Sequence, residues 1–497
     1  MAMRRGLFVV VLVCLCPALH AQDTWMSVLL DGRKIGHMEI VRNHEGDTLT
    51  TRQALAIRIS RAGQPLALSS TTTAVEDTVA QPLAFSTETG MSKVTSGSHG
   101  SRRADGLFDV TTSVGGQVQQ DTLGWPSGAQ LAEGQRRTML ARGFIPGTRY
   151  TMRNFDPNSR SAIDVSMEVI GPEAVEMPGG RERLHHVRQT LRLARGEQVM
   201  DLWVDDQAYV RRGMTPFLGF HMEMVACDRA CAMAPDQDID VLRMAMIDAP
   251  RPMTQNLRET PMRYLVKVTG NARGELIQTD EQSVTQLGTD LYALDIGVGK
   301  HGNESPPTDD DTAANAWLQS TSPELHAAAL AAVGEAGSDL QRMRRLRTFV
   351  SEHIDSHGLD VGYASALEAL RSGHGDCTEN AVLLTALARS LGIPARVVTG
   401  VVYATRYGGA SRVFVPHAWM QAWVEGRWRS YDAALRRFDS THIALATGNG
   451  DPWKFYTAMA LLGNIRIDRA TPLDGIMDTM PIADSAPAGP PGGGGMR

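Results

Sequence analysis

The chain has 497 residues, with 49 Lys and Arg against 55 Asp and Glu, a formal net charge of −6 and 42% hydrophobic residues. That length suggests about two to four domains, each with enough chain to bury a core. A modest negative charge, with no basic stripe interleaved with aromatics, argues against nucleic acid as a partner.

The first residues, MAMRRGLFVVVLVCLCPALHAQ, set Arg4 and Arg5 ahead of an apolar stretch that closes on small residues. This is the layout of a secretory signal, and residues 1–21 are expected to be removed by cleavage after Ala21. Leu19 stands where a small residue is preferred, so an uncleaved N-terminal anchor is the alternative. Val13 and Leu15 are too large for the position before a lipidated cysteine. No later apolar run approaches the roughly twenty residues needed to span a bilayer. The expectation is a periplasmic or secreted protein with no membrane span once the signal is gone.

Residues 22–250 alternate apolar and polar positions or form short apolar runs broken by turn residues, which predicts antiparallel strands. WMSVLL, DGRK and IGHMEIVR form one expected hairpin, VMDLWV, DDQ and AYVRR another. Residues 251–300, from MRYLVKVTG to LYALDIGVG, are expected to be a small separate β module. No solenoid-type repeat is present.

Without the signal, three cysteines remain. Cys227 and Cys231 sit close together in ACDRACA and Cys377 stands alone. In an oxidising compartment the close pair can form a small disulfide loop, leaving an odd thiol. A metal site is the rival reading for the pair, but no second pair of Cys or His lies nearby to complete four ligands.

Gly297–Thr312 combines Gly, two prolines and three aspartates without an apolar period, and residues 301–312 are expected to be an exposed linker. Asp309, Asp310 and Asp311 lack the intervening residues and turn glycine of a calcium loop. Beyond the linker the period becomes helical. Leu340, Met343, Leu346, Val350 and Ile354 recur at three- and four-residue steps after Ser338, a good N-cap. The Gly- and Pro-rich tail, residues 471–497, cannot bury a core and is expected to be disordered.

Between these lies SGHGDCTENAVLLTALARSLGIPARVV, beginning at Ser372. Ala381, Leu384, Leu387, Ala388 and Leu391 mark one stripe of a helix that stops at Gly392 and Pro394. Cys377 falls at its first turn, where free backbone N–H groups and the helix dipole favour a thiolate. Gly373 and Gly375 allow a tight backbone turn and close approach to the sulfur. Asp376 opposes a thiolate, so a cationic partner is required. Taken alone, a cysteine before an apolar helix is as readily a small core residue.

His417 opens the strand HAWMQAWV, and RWRSYDAAL follows a turn at Glu425 and Gly426. A two-residue turn pairs Val424 with Arg427 and sets Asp432 opposite Trp419, on the face shared with His417. A three-residue loop inverts the parity and sends Asp432 to the other face. With the first geometry, Cys377 is a nucleophile, His417 its base and Asp432 the group that orients the imidazole. The backbone N–H of Cys377 is a first oxyanion donor, and Tyr363 is the one suggestion for a second. His374 could join His417 and Asp432 at a metal, though the ligand mix is unusual. Trp419, Trp423 and Trp428 are read as core, with Trp419 the best placed to line the site. Glu379 is read as a cap or charge in the first helical turn.

Taken together, GDCTENAVLLTALARSLGIPARVVTG, HAWMQAWV and WRSYDAAL resemble the core of the transglutaminase-like superfamily over about Leu340 to Gly448. The resemblance implies a papain-like cysteine-protease fold for residues 313–470. It also implies the roles of nucleophile, histidine and aspartate for Cys377, His417 and Asp432. Gln421 replaces a glutamate common in the family, and Ala433 follows Asp432 where the family often has proline. FDSTHIALATG is similar to the segment that follows the triad in bacterial members, which implies structural roles for Asp439 and His442.

The expected fold class is therefore α+β, with a papain-like transglutaminase core behind an antiparallel β-rich domain. The expected function is cysteine-dependent acyl transfer on a protein or peptide substrate through a thioester, with amine or water as acceptor. A cysteine peptidase or amidase of the same fold is the neighbouring alternative. The rival from another class is a catalytically silent module, with the β-rich region serving binding or envelope assembly. No motif implies an organic cofactor, and no calcium or other metal ligand set is expected.

Overall fold

Period-two alternation through the first half of the chain becomes one sheet, antiparallel throughout except where Ala129–Gln130 pairs parallel with Arg149–Asp156. The structure, a computed structural model, describes residues 22–61, 63–91, 94–192, 197–217, 220–269, 276–297, 303–355, 363–451 and 461–473. The signal peptide expected at 1–21 and residues 474–497 of the expected tail lie outside the described residues. Strand is the dominant element at 52%, against 18% helix, so the chain is largely β, with an α+β arrangement in its C-terminal part.

Fifteen strands share the N-terminal sheet. A first meander runs from Gln22–Leu30 to Gln117–Leu123 and a second from Ala129–Gln130 to Phe220–Cys227. They join where the opening strand pairs with the closing one, Trp25 opposite Cys227 and Leu30 opposite Met222. In the first hairpin the turn is the pair Asp31 and Gly32, both at positive φ, and Arg33 and Lys34 already belong to the next strand. The sheet curls until its two meanders touch. Phe85 from the first meets Phe155 from the second at a ring distance of 5.0 Å, and Trp125 closes the cluster 4.2 Å from Phe155. Glu76 adds a polar tie by accepting the N–H groups of Glu133 and Gly134, at 2.7 and 2.9 Å, at the start of helix Ala132–Arg142.

A four-stranded sheet follows. Its neighbours in order are Gln282–Gln286, Leu291–Ile296, Met262–Val268 and Ile465–Pro472. The last strand arrives from near the end of the chain, so the sheet straddles the whole C-terminal region in sequence.

Among the described residues, the region between carries the helices Pro323–Val333, Asp339–His353, Ala366–Ser372 and Cys377–Ser390 and four strands of a five-stranded sheet, whose fifth strand, Ile247–Asp248, comes from earlier in the chain. Ser338 caps the second helix through its hydroxyl, and Met343, Leu346 and Val350 are fully buried. The Cys377–Ser390 helix is buried on every side from Glu379 to Arg389, a broader burial than one apolar stripe predicts. Strands Ala395–Tyr407 and Ala410–Val424 cover one flank and the other three helices cover the rest, so the helix sits at the centre of its core. In the 301–312 stretch, Asp309–Asp311 form a 3-10 turn capped by Thr308, while Glu304 turns inward to pair with Arg396.

Candidate active site

Asp376 is the N-cap of the central helix and Cys377 its first residue. The Asp376 carboxylate accepts the N–H of Thr378 at 2.7 Å, and Glu379 reaches back to accept the N–H of Asp376 at 2.8 Å. This reciprocal cap fixes the backbone that carries the thiol. Glu379 also accepts the N–H of Ala364 at 2.9 Å. Its burial, reinforced by the neighbouring Asp376 charge, pushes the Glu379 carboxyl well above the usual range. A Cβ on Gly375 would lie 2.4 Å from the Glu379 Cβ, so glycine there makes room for the cap. Gly373, at φ +63, ends the preceding helix in the left-handed region.

The strand hairpin beyond has Val424 opposite Arg427 and Trp423 opposite Trp428, with Glu425 and Gly426 at positive φ. This is the two-residue turn, and it brings Asp432 round to His417. His417 Nε2 lies 2.7 Å from Asp432 Oδ2, with both side chains buried. The ring is therefore anchored through Nε2, which leaves Nδ1 for the thiol. No nitrogen or oxygen among the described residues bonds Nδ1, and Cys377, itself half-buried, is the other group acting on the ring.

Burial disfavours a charge on His417, but the Asp432 carboxylate and Cys377 outweigh it and push the imidazole up to about 10. Burial likewise raises Asp432, yet His417 and His442 overcome it and hold the carboxyl well below the usual range. The second oxygen, Oδ1, accepts the N–H of Leu435 at 2.9 Å. Trp419 is buried beside the pair, its ring 6.1 Å from His417 and edge-on to His442 at 5.2 Å. Tyr363 is partly buried, but its hydroxyl donates to the Gly450 carbonyl at 2.7 Å, so its proton is already committed away from an oxyanion. His374 is exposed and outside the cluster.

The family model of the transglutaminase-like superfamily matches residues 327–433. This segment is a transglutaminase-like domain. An uncharacterized protein of Mycobacterium leprae (strain TN) is 33% identical over 124 residues, which are 24% of this chain and 43% of that relative. The chain thus spans less than half of that relative's length. Among solved structures, a "Putative Cysteine Protease" from Cytophaga hutchinsonii is 16% identical, with 44% of this chain and 87% of that one covered and a TM-score of 0.30. A "Beta-barrel-like Protein of Domain of Unknown Function DUF1849" from Brucella abortus is 14% identical, with 42% and 97% covered and a TM-score of 0.35. At such scores neither decides the fold.

Three supports surround the pair, and of these only His442 is singled out in the sequence, by resemblance. Gly400 lies opposite His417 across the strand pair. A Cβ there would come 2.0 Å from the Ile443 carbonyl oxygen and 2.9 Å from the Trp419 ring, so only glycine admits both neighbours. Asp280 and Glu281 clamp the free edge of strand Arg427–Tyr431 by accepting the N–H groups of Trp428 at 2.8 Å and Ser430 at 3.0 Å. Carboxylates thus replace a neighbouring strand beside Asp432. His442 is the third support, with Nε2 3.0 Å from the same Asp432 oxygen that His417 uses.

His417, Asp432 and His442 bring ligand-type atoms within 4.8 Å of one another. Their spacing is that of N–H groups on a carboxylate. A metal would need both Nε2 atoms bare and about 2.0–2.2 Å from the ion. The set reads as a hydrogen-bonded network.

Proposed function

We propose that the protein is an exported cysteine-dependent acyl-transfer enzyme acting on protein or peptide amides. The observation that carries this reading is the setting of His417, whose Nε2 is held by Asp432 at 2.7 Å, whose buried Nδ1 has no hydrogen-bond partner among the described residues, and on whose ring Cys377, at a helix start, also acts. In the reaction, the Cys377 sulfur attacks the amide carbonyl carbon while His417 accepts the thiol proton at Nδ1. The tetrahedral oxyanion takes a hydrogen bond from the Cys377 backbone N–H. His417 then returns the proton to the departing amine as the C–N bond breaks, leaving a thioester. An amine or water attacks the thioester, His417 takes the proton of the attacking group, and the thiol is released. Asp432 keeps the ring oriented and balances its charge throughout.

Export rests on the N-terminal signal layout, and it places the substrate among envelope or secreted proteins. The test is to incubate the mature protein with an extract of periplasmic proteins and search by mass spectrometry for acyl adducts on Cys377. Wild type is expected to carry adducts that Cys377→Ala lacks, and hydroxylamine is expected to release them. Identical adduct patterns in the two proteins would overturn the assignment.

A further inference from the structure

Asp432 serves two histidines. Its Oδ2 lies 2.7 Å from Nε2 of His417 and 3.0 Å from Nε2 of His442, and all three side chains are buried. The tautomer of His442 is set by Asp432, whose ionised carboxylate can only accept. Nδ1 lies 3.2 Å from the backbone N–H of Asp439, a group that can only donate, and 3.1 and 3.3 Å from the Asp439 carbonyl and carboxylate oxygens. A neutral ring accepts from that N–H at Nδ1 and so carries its proton on Nε2. A charged ring carries protons on both nitrogens. In either state Nε2–H donates to Asp432.

The segment is built to keep that ring in place. Thr441 donates to the Asp439 carboxylate through its N–H at 2.9 Å and its hydroxyl at 2.5 Å. The His442 ring is wedged against Phe438 and Trp419 at 4.7 and 5.2 Å. Arg437 lies 3.6 Å from Asp439, and Arg258 and Tyr264 complete the ionisable groups around it.

A carboxylate oxygen that accepts two N–H groups offers each less than it would offer one alone. We infer that His442 is a positioning residue for the proposed acyl transfer, holding Asp432 and tempering its grip on His417 so that the imidazolium can give its proton back to the leaving group. The inference rests on the triad reading above. Without His442 the buried carboxylate leans on His417 alone. The ring then keeps its proton more tightly, and the thiolate–imidazolium pair persists to higher pH.

The test follows the pH profile of Cys377 alkylation by iodoacetamide, read by mass spectrometry on the full mature chain, in wild type, His442→Leu and His442→Gln. Leu removes the donor, whereas Gln can present an N–H near the position of Nε2. In His442→Leu the alkaline midpoint, at which His417 gives up its proton and the alkylation rate changes, is expected to rise by about one pH unit, a tenfold change in the protonation equilibrium. His442→Gln is expected to return close to wild type. A purely structural His442 would lower the melting temperature and leave the midpoint of both variants unmoved, and that result would overturn the inference. If His442→Leu does not fold, ring nitrogen NMR of wild type decides, since a neutral His442 protonated on Nδ1 contradicts the proposed donor. Failure of the triad reading is separately visible. It would appear as a wild-type profile that His417→Ala does not change, whereas failure of this inference alone leaves that dependence intact.

Discussion

Glu281 accepts the backbone N–H of Ser430 at 3.0 Å, two residues before Asp432. The glutamate is partly buried, and burial, opposed by Ser430 and Arg427, pushes its carboxyl up to about 7. The folded state therefore holds this proton in a pH range where the unfolded chain has lost it. Stability from this group is full below the unfolded value near 4.5 and declines as pH rises through 7. Glu281→Gln keeps an acceptor for Ser430 while removing the buried charge. It is expected to match wild type near pH 5 and to be more stable at pH 8, by roughly 2–3 kcal/mol. Thermal melts at the two pH values measure this, and a variant less stable at pH 8 would count against the buried clamp.

Gly400 marks a second constraint next to His417. An alanine methyl would overlap the Ile443 carbonyl and press on the Trp419 ring, and backbone cannot yield as a flexible side chain does. Gly400→Ala is expected to cost about 1–3 kcal/mol or more. It should also slow Cys377 alkylation by moving the His417 strand relative to the helix. A melting temperature and alkylation rate equal to wild type would show that the strands relax freely.

Much of the site was legible because its parts are short and local. The helix start at Cys377 and the two-residue turn at Glu425 and Gly426 each have a local signature, and so has the strand that carries His417, although it opens at Ala410 and not at His417. The turn then fixes where Asp432 faces. Burial on all sides of the central helix was not legible, since it depends on three other helices closing around polar residues such as Glu379 and Arg389. Nor could local pattern show that Asp280 and Glu281 cap a strand about 150 residues later. The fifteen-strand sheet was visible as hairpins, but the pairing of Trp25 with Cys227 joins residues about 200 apart. His442 was assigned a structural place by resemblance, and its bond to Asp432 emerges only when Ile443–Gly448 pairs with Ala395–Tyr407.

The Asp432 carboxylate carries a prediction of its own. Asp432→Asn keeps the size of the side chain and removes the charge that outweighs burial at His417. Burial then favours the neutral ring, so the thiolate–imidazolium pair weakens at neutral pH. Turnover of an amide substrate is expected to fall by roughly 10³–10⁴, on the scale seen when an orienting carboxylate is neutralised in a serine triad. Alkylation of Cys377 at pH 6 is expected to fall at least about tenfold, while the fold is retained by circular dichroism. Unchanged alkylation would mean that His417 does not depend on Asp432 for its charge.

The last prediction concerns the sulfurs far from the site. Cys227 ends the closing strand of the large sheet, and Cys231 lies in the short helix Arg229–Ala232. Ser27 places its hydroxyl 3.4 Å from the Cys227 sulfur and 3.5 Å from that of Cys231, so the two thiols converge on one point of the opening strand. Both are free here, and burial, followed by the Cys231 thiol, raises Cys227. Exported to an oxidising compartment, the pair is expected to lose two protons and two electrons to a disulfide-donating oxidant and form one disulfide. Denatured without reductant, the mature protein should then take iodoacetamide only at Cys377, and with reductant at three cysteines. Labelling of Cys227 and Cys231 without reductant would show that the pair stays reduced. Stabilisation from so short a loop is expected to be about 2 kcal/mol, read as a lower melting temperature after reduction.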